Sequence, residues 1–281
     1  MKRLIFIIVL FLSVTILFAQ DYNNLVEKSF ECIEKEDWSC AELYILDALK
    51  QDPSNIQNSL LLSNLGTVQR YMGKNEEAIK SYTNALMITP RSVAILKNRA
   101  SLYAAIDSLD KAVSDYSRVI ALDSKETDVL YERGLVYLQK RDTLSARYDF
   151  ETLLKLDPNS RDAYMGFAAL MKYRNYYDES VGIYTKIIKL NDKDYDAYFG
   201  RAESYYYIGK MSKAREDIKK ALELKKDDPL IYVLRAKVGW SQFDRESAIK
   251  DLDKAVELGF SKEDADKILD SLQSNTKRFR R

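Results

Sequence analysis

Histidine is absent from this 281-residue chain, which removes the commonest general base, the usual neutral metal ligand and the side chain that titrates near neutrality. Without it there is no Ser/His or Cys/His nucleophile pair and no His-based zinc site. Glycine and proline are scarce, at 9 and 4 residues, too few to supply the turns of a sheet-rich fold. No two glycines cluster into a phosphate-cradling loop. Neither sign of charge dominates: 44 Lys and Arg against 43 Asp and Glu leave a net +1, so no long-range field gathers a polyanion and nucleic acid is not an expected partner. The many carboxylates recur with a helical period, which places them on solvated faces. These absences predict a protein that is not an enzyme, with no catalytic residue, no cofactor and no metal.

What is present is ordered and helical in character. Hydrophobic residues make up 46% of the chain and charged residues 31%, a balance that supports a sizeable core. The amino terminus has its own pattern: Lys2 and Arg3, an apolar run from Leu4 to Phe18 broken only by Ser13 and Thr15, then Ala19. That run is shorter than the roughly 20 residues that cross a bilayer as a helix. Residues 1–19 therefore read as a secretory signal peptide cut after Ala19, which predicts an exported protein of the periplasm or cell envelope, or a secreted one. An uncleaved anchor stays open, because Leu17 is bulky where small residues are favoured. Contact with a membrane is expected only in that case.

From residue 22 to 262 the chain divides into units beginning at 22, 59, 93, 127, 161, 195 and 229. Every interval but the first is 34 residues; the first is 37 and carries Ile56, Gln57 and Asn58 as an insertion. Position 8 of the units reads Ser29, Gly66, Ala100, Gly134, Ala168, Ala202 and Ala236, and position 20 reads Ala41, Ala78, Ala112, Ala146, Ser180, Ala214 and Ala248. Small residues at matching heights on two antiparallel helices mark the point where they cross closely. Position 24 is bulky, as Ile45, Tyr82, Tyr116, Phe150, Tyr184, Ile218 and Leu252, and fills the space between successive pairs. Pro53, Pro90 and Pro158 fall at position 32, where proline ends a helix.

This register resembles the tetratricopeptide repeat (TPR) in its period, its small residues at 8 and 20, its bulky residue near 24 and its proline at 32. The resemblance implies an all-α, TPR-type α-solenoid, a right-handed superhelix of helix-turn-helix repeats spanning 22–55, 59–92, 93–126, 127–160, 161–194, 195–228 and 229–262. An amphipathic helix with Ala265, Ile268, Leu269 and Leu272 on one stripe follows, read as a capping helix over 262–273. Residues 274–281 close the chain as a basic tail ending Lys277, Arg278, Phe279, Arg280 and Arg281.

The resemblance also implies a groove lined by the first helix of each pair, which holds a protein or peptide ligand. Positions 2, 5, 9, 12 and 13 would face it, and they carry Tyr71, Tyr131, Tyr173, Phe199, Tyr206, Tyr207 and Trp240. Aromatic side chains offer large contact area with few rotamers to freeze, so these seven are the candidate partner-binding residues; the competing reading places them in the core. The family's clamp for a terminal carboxylate is not matched, since Val26 and Phe30 stand at its leading positions. An exported scaffold for protein complexes is the expected function, and recognition of a glycan or cell-wall fragment is the alternative.

Two further features bear on the stack. Cys32 and Cys40 occupy positions 11 and 19 of the first unit, on opposite helices at similar height, and form a candidate disulfide or a pair of buried thiols. Arg99, Arg133, Arg201 and Arg235 hold position 7 in the same four units that have Asp115, Asp149, Asp217 and Asp251 at position 23. A repeated salt bridge is expected; an arginine ladder for a ligand would need arginines with free faces.

Overall fold

A computed structural model describes residues 21–278, and among them the chain is helix and turn with no strand. The expected signal peptide and Phe279, Arg280 and Arg281 of the expected tail lie outside the described residues. The fold is an all-α TPR-type solenoid, divided into two compact units. The first, Met1–Lys140, holds α1 (residues 21–34), α2 (Trp38–Gln51), α3 (Asn58–Tyr71), α4 (Asn75–Ile88), α5 (Val93–Ala105), α6 (Leu109–Leu122) and α7 (Thr127–Gln139). The second, Arg141–Arg281, holds α8 (Thr143–Leu156), α9 (Arg161–Tyr173), α10 (Tyr177–Leu190), α11 (Tyr195–Tyr207), α12 (Met211–Leu224), α13 (Pro229–Ser241), α14 (Arg245–Glu257) and α15 (Lys262–Arg278). From α3 onward, each odd-numbered helix through α13 starts at position 1 of the register or one residue before it.

The turn inside each repeat has one construction. Position 15 takes a left-handed φ in all seven repeats, between 55° and 76°, yet only Gly73 and Gly209 are glycines there. Glu36, Asp107, Arg141, Asn175 and Phe243 hold the same conformation at a cost of about 1 kcal/mol each. The next amide closes the helix by donating to the carbonyl at position 11, as Lys74 does to Gln69, Ser108 to Tyr103 and Lys210 to Tyr205, each at 2.8 Å. These bonds satisfy carbonyls that the helix end leaves open.

Packing follows the columns. All fourteen residues at positions 8 and 20 are buried, and so is every residue at position 24. Where the small residue is Ser180, its hydroxyl meets Ser204 Oγ at 3.0 Å, and Ser204 donates to the Gly200 carbonyl, so no buried hydroxyl of this pair goes unmet. Burying each large side chain of the position-24 column contributes roughly 1.5–3 kcal/mol. Three contacts are closer than a side chain permits: a Cβ on Gly66, Gly166 or Gly200 would run into the ring of Tyr82, Phe150 or Tyr184.

The cap differs from its expected length. α15 continues to Arg278, past the predicted end near 273, because no glycine or proline follows Gly259 to stop it. Its Ile268, Leu269 and Leu272 pack on Val233, Trp240 and Leu252.

Candidate partner-binding surfaces

The seven aromatics expected to line one wall do not share one environment. Tyr71, Tyr173 and Tyr207, all at position 13, are exposed. Tyr131, Phe199 and Tyr206 are half-buried; Phe199 stacks on Tyr195 with ring centroids 6.1 Å apart, and both it and Tyr206 pack against the Ile218–Ile231–Leu234 core. Trp240 is 9% exposed and belongs to the core with Ala236, Ala248 and Leu252. It is therefore not an open anchor: in the last repeat α15 covers the place where a ligand was expected.

The exposed tyrosines form a pattern of their own at the turn edge. Position 17 of one repeat stacks on position 13 of the next: Trp38 on Tyr71 with centroids 4.5 Å apart and planes 10° from parallel, and Tyr177 on Tyr207 at 4.5 Å and 14°. Tyr206 meets Tyr207 edge-on at 5.4 Å, and the Arg174 guanidinium lies 5.1 Å from the Tyr176 ring. In the second unit, Tyr173, Tyr176 and Tyr207 thus present aromatic surface beside one edge of α9, α10 and α11, with Tyr177 and Tyr206 behind them. Partial burial, with the Glu203 carboxylate nearby, raises the Tyr207 pKa above its ordinary value, so its hydroxyl is a donor at neutral pH.

A second surface lies in the first unit, where a cleft of about 410 Å³ is walled by Val26 and Phe30 of α1, Ile56 and Gln57 of the insertion, and Leu60 and Asn64 of α3. Phe30, Ile56 and Leu60 are all exposed, Ile56 by 82%. Asn58 fixes the insertion by accepting from Tyr22 Oη at 3.0 Å and donating to the Asp52 carbonyl at 2.8 Å. Neither Ile56 nor Leu60 is among the expected binding residues, although the 37-residue interval, Val26 and Phe30 at positions 5 and 9 of the first repeat and Leu60 at position 2 of the second mark the spot.

The arginine and aspartate columns meet within repeats. Arg99 binds Asp115 through Nε and Nη2 at 2.7 and 2.9 Å, Arg201 binds Asp217 at 2.7 and 2.8 Å, and Arg235 binds Asp251 at 2.9 and 2.5 Å. Arg99 and Arg201 spend Nη1 on the hydroxyl at position 25 of the preceding repeat, Thr83 and Thr185, and Arg133 does so on Ser117. Arg133 and Asp149 fall in different compact units. In the first hairpin, Cys32 and Cys40 have Cα atoms 5.7 Å apart and sulfurs at bonding distance, 2.03 Å. Among the described residues no group of Cys, Asp or Glu side chains is placed to hold a metal ion, and no helix is long and apolar enough to cross a membrane.

Models of the tetratricopeptide repeat match residues 61–94, 128–160 and 195–228. A tetratricopeptide repeat protein from Parabacteroides merdae ATCC 43184, known from its crystal structure, is 37% identical over 90% of this chain and 99% of its own, with a TM-score of 0.80. The chain belongs to the tetratricopeptide-repeat family. TTC0263, a thermophilic TPR protein in Thermus thermophilus, shares the fold at 18% identity, covering 65% of this chain and 99% of that one with a TM-score of 0.59. Yeast Tom70 does so at 13% identity, 86% and 61% coverage and a TM-score of 0.62. No curated protein matches the chain. Tetratricopeptide-repeat proteins generally serve as non-enzymatic scaffolds for protein interaction, and the surfaces described above are of the kind such a role requires.

Proposed function

We propose that this TPR protein is an exported scaffold that assembles protein complexes in the cell envelope, and that it holds a protein or peptide along the tyrosine edge of α9, α10 and α11. The observation that carries this reading is the exposure of Tyr173, Tyr176 and Tyr207 on one edge, with Tyr207 held flat by its stack on Tyr177. Rigid aromatic faces in water are poor for solubility and good as anchors, since little rotamer freedom remains to be lost on binding. Export is supported by the pattern of residues 1–19 and by the Cys32–Cys40 geometry, which suits an oxidising compartment. The role involves no catalysis, nucleic acid or cofactor.

Flat tyrosine faces also suit sugar rings, which keeps the glycan reading as the second one. Capture from envelope extract, read by mass spectrometry beside binding to purified glycans, separates the two. Tyr173→Ala with Tyr207→Ala should weaken capture of the protein partner by about 2 kcal/mol or more while helicity and melting temperature hold. Undiminished capture by that double variant, or binding to glycans alone, rules the protein-scaffold reading out.

A further inference from the structure

Between α12, α13 and α14 a cleft opens. Its two adjoining parts, of about 420 and 350 Å³, share Arg215, Ile218 and Arg235. Two replacements create it. Position 24 is Tyr82, Tyr116, Phe150 or Tyr184 in repeats two to five and Ile218 in repeat six. Position 11 is Tyr103, Tyr137 and Tyr205 in repeats three, four and six, and Gly239 in repeat seven. Packing does not require that glycine: a Cβ there would meet nothing closer than 3.6 Å, and its φ is not left-handed.

The chemistry of the cleft is one-sided. Arg235 is 41% exposed where Arg99 and Arg201 are 13% and 16% exposed. The Arg201 guanidinium lies near both the Tyr198 and Tyr205 rings, whereas Arg235 has Tyr232 at 5.0 Å and Gly239 in place of the second ring. The threonine that occupies Nη1 of Arg99 and Arg201 is replaced by Lys219, so this one arginine of the column has a free face. Of the three acidic groups lining the cleft, two are paired with cations and the third caps α14. Asp251 holds Arg235, Asp244 accepts the Ser247 amide, and Glu223 holds Lys220. Lys219 and Lys226 are exposed and make no ion pair among the described residues. Arg215, Lys219 and Leu222 follow at helical spacing along about two turns of one face of α12, roughly 10 Å, and Lys226, two residues past the end of that helix, lines the same cleft. The floor is Ile218 and Val238, with Gly239 beside them.

We propose that this cleft is a second docking site, which takes an acidic peptide segment of a partner protein and seats an apolar side chain over Gly239 between carboxylates bound by Arg235, Lys219 and Lys226. The site extends the scaffold role to a second surface, lined by none of the tyrosines of the α9–α11 edge, and does not depend on it. The test is fluorescence anisotropy of the full chain with a fluorescein-labelled Glu/Leu dodecapeptide and its Lys/Leu counterpart. The Glu/Leu peptide should bind, more weakly as salt rises, and the Lys/Leu peptide should not. Lys219→Glu with Lys226→Glu should lower affinity by about tenfold or more. Gly239→Tyr, which restores the side chain of repeats three, four and six, should abolish binding with helicity intact, and Gly239→Ala, which keeps the cleft open, should bind as the parent does. The proposal is overturned by absence of Glu/Leu binding, by equal binding of the Lys/Leu peptide, by retention in both the charge-reversed and the Gly239→Tyr variants, or by displacement with inorganic phosphate at constant ionic strength, which would reveal a simple anion site.

Discussion

Repeats six and seven are built from one template and differ in how tightly they close. Arg201 and Arg235 each grip an aspartate with two nitrogens, but Arg201 is sealed by Thr185 and lies 16% exposed, whereas Arg235 faces Lys219 and is 41% exposed. Gly200 receives the Tyr184 ring, while Gly239 faces an open cleft. The turn of repeat six has glycine in its left-handed place and that of repeat seven has Phe243, 78% exposed. The same backbone thus makes a sealed core in one repeat and a surface with unfilled contacts in the next.

The largest expected difference lies in the ion pairs. Asp217→Ala strips the largely enclosed Arg201 of its buried partner and should cost about 3 kcal/mol. Asp251→Ala leaves an arginine that water can reach and should cost about 1 kcal/mol or less. Urea denaturation of the two variants reads the gap directly, and equal losses would mean that the two arginines are equally sealed in solution.

The glycines should respond with opposite signs. Gly200→Ala forces the buried Tyr184 ring to move, an overpacking cost of about 1 to 3 kcal/mol that outweighs the gain in helix propensity. Gly239→Ala meets no such obstacle and should stabilise by about 1 kcal/mol. Thermal melts followed by far-ultraviolet circular dichroism suffice to check the pair. Smallest is the turn: Phe243→Gly relieves a left-handed aromatic and should raise stability by up to about 1 kcal/mol. A lower melting temperature in that variant would show that the Phe243 ring makes contacts that its exposure conceals.

Much of this was legible without coordinates. The columns at positions 8, 20 and 24 named the buried residues, because a period of 34 leaves little choice of which residues face inward. The matched occurrence of arginine and aspartate pointed to a repeated pair, within a repeat or between neighbours, and the structure places Arg99 and Asp115 together within one. The binding surfaces were read less well. Trp240 stands at position 12, which is half-buried in most repeats and buried as Leu138 in repeat four; in the last repeat α15 packs against it as well, and a column cannot register what covers its last member. Ile56 and Leu60 escaped notice because exposure depends on neighbours that the sequence does not pair.

The sequence by itself determined the repeat, its crossing points and the helices that carry them, since these depend on local period and on side-chain size, which are properties of single columns. Only the tertiary structure decided which members of a column are open: Tyr207 stacked yet exposed, Trp240 enclosed, Arg235 free on one side where Arg201 is not. Exposure is a property of the space between helices, and that space is set jointly by residues from adjacent repeats, such as Ile218 and Gly239, whose effects appear only when they are packed together.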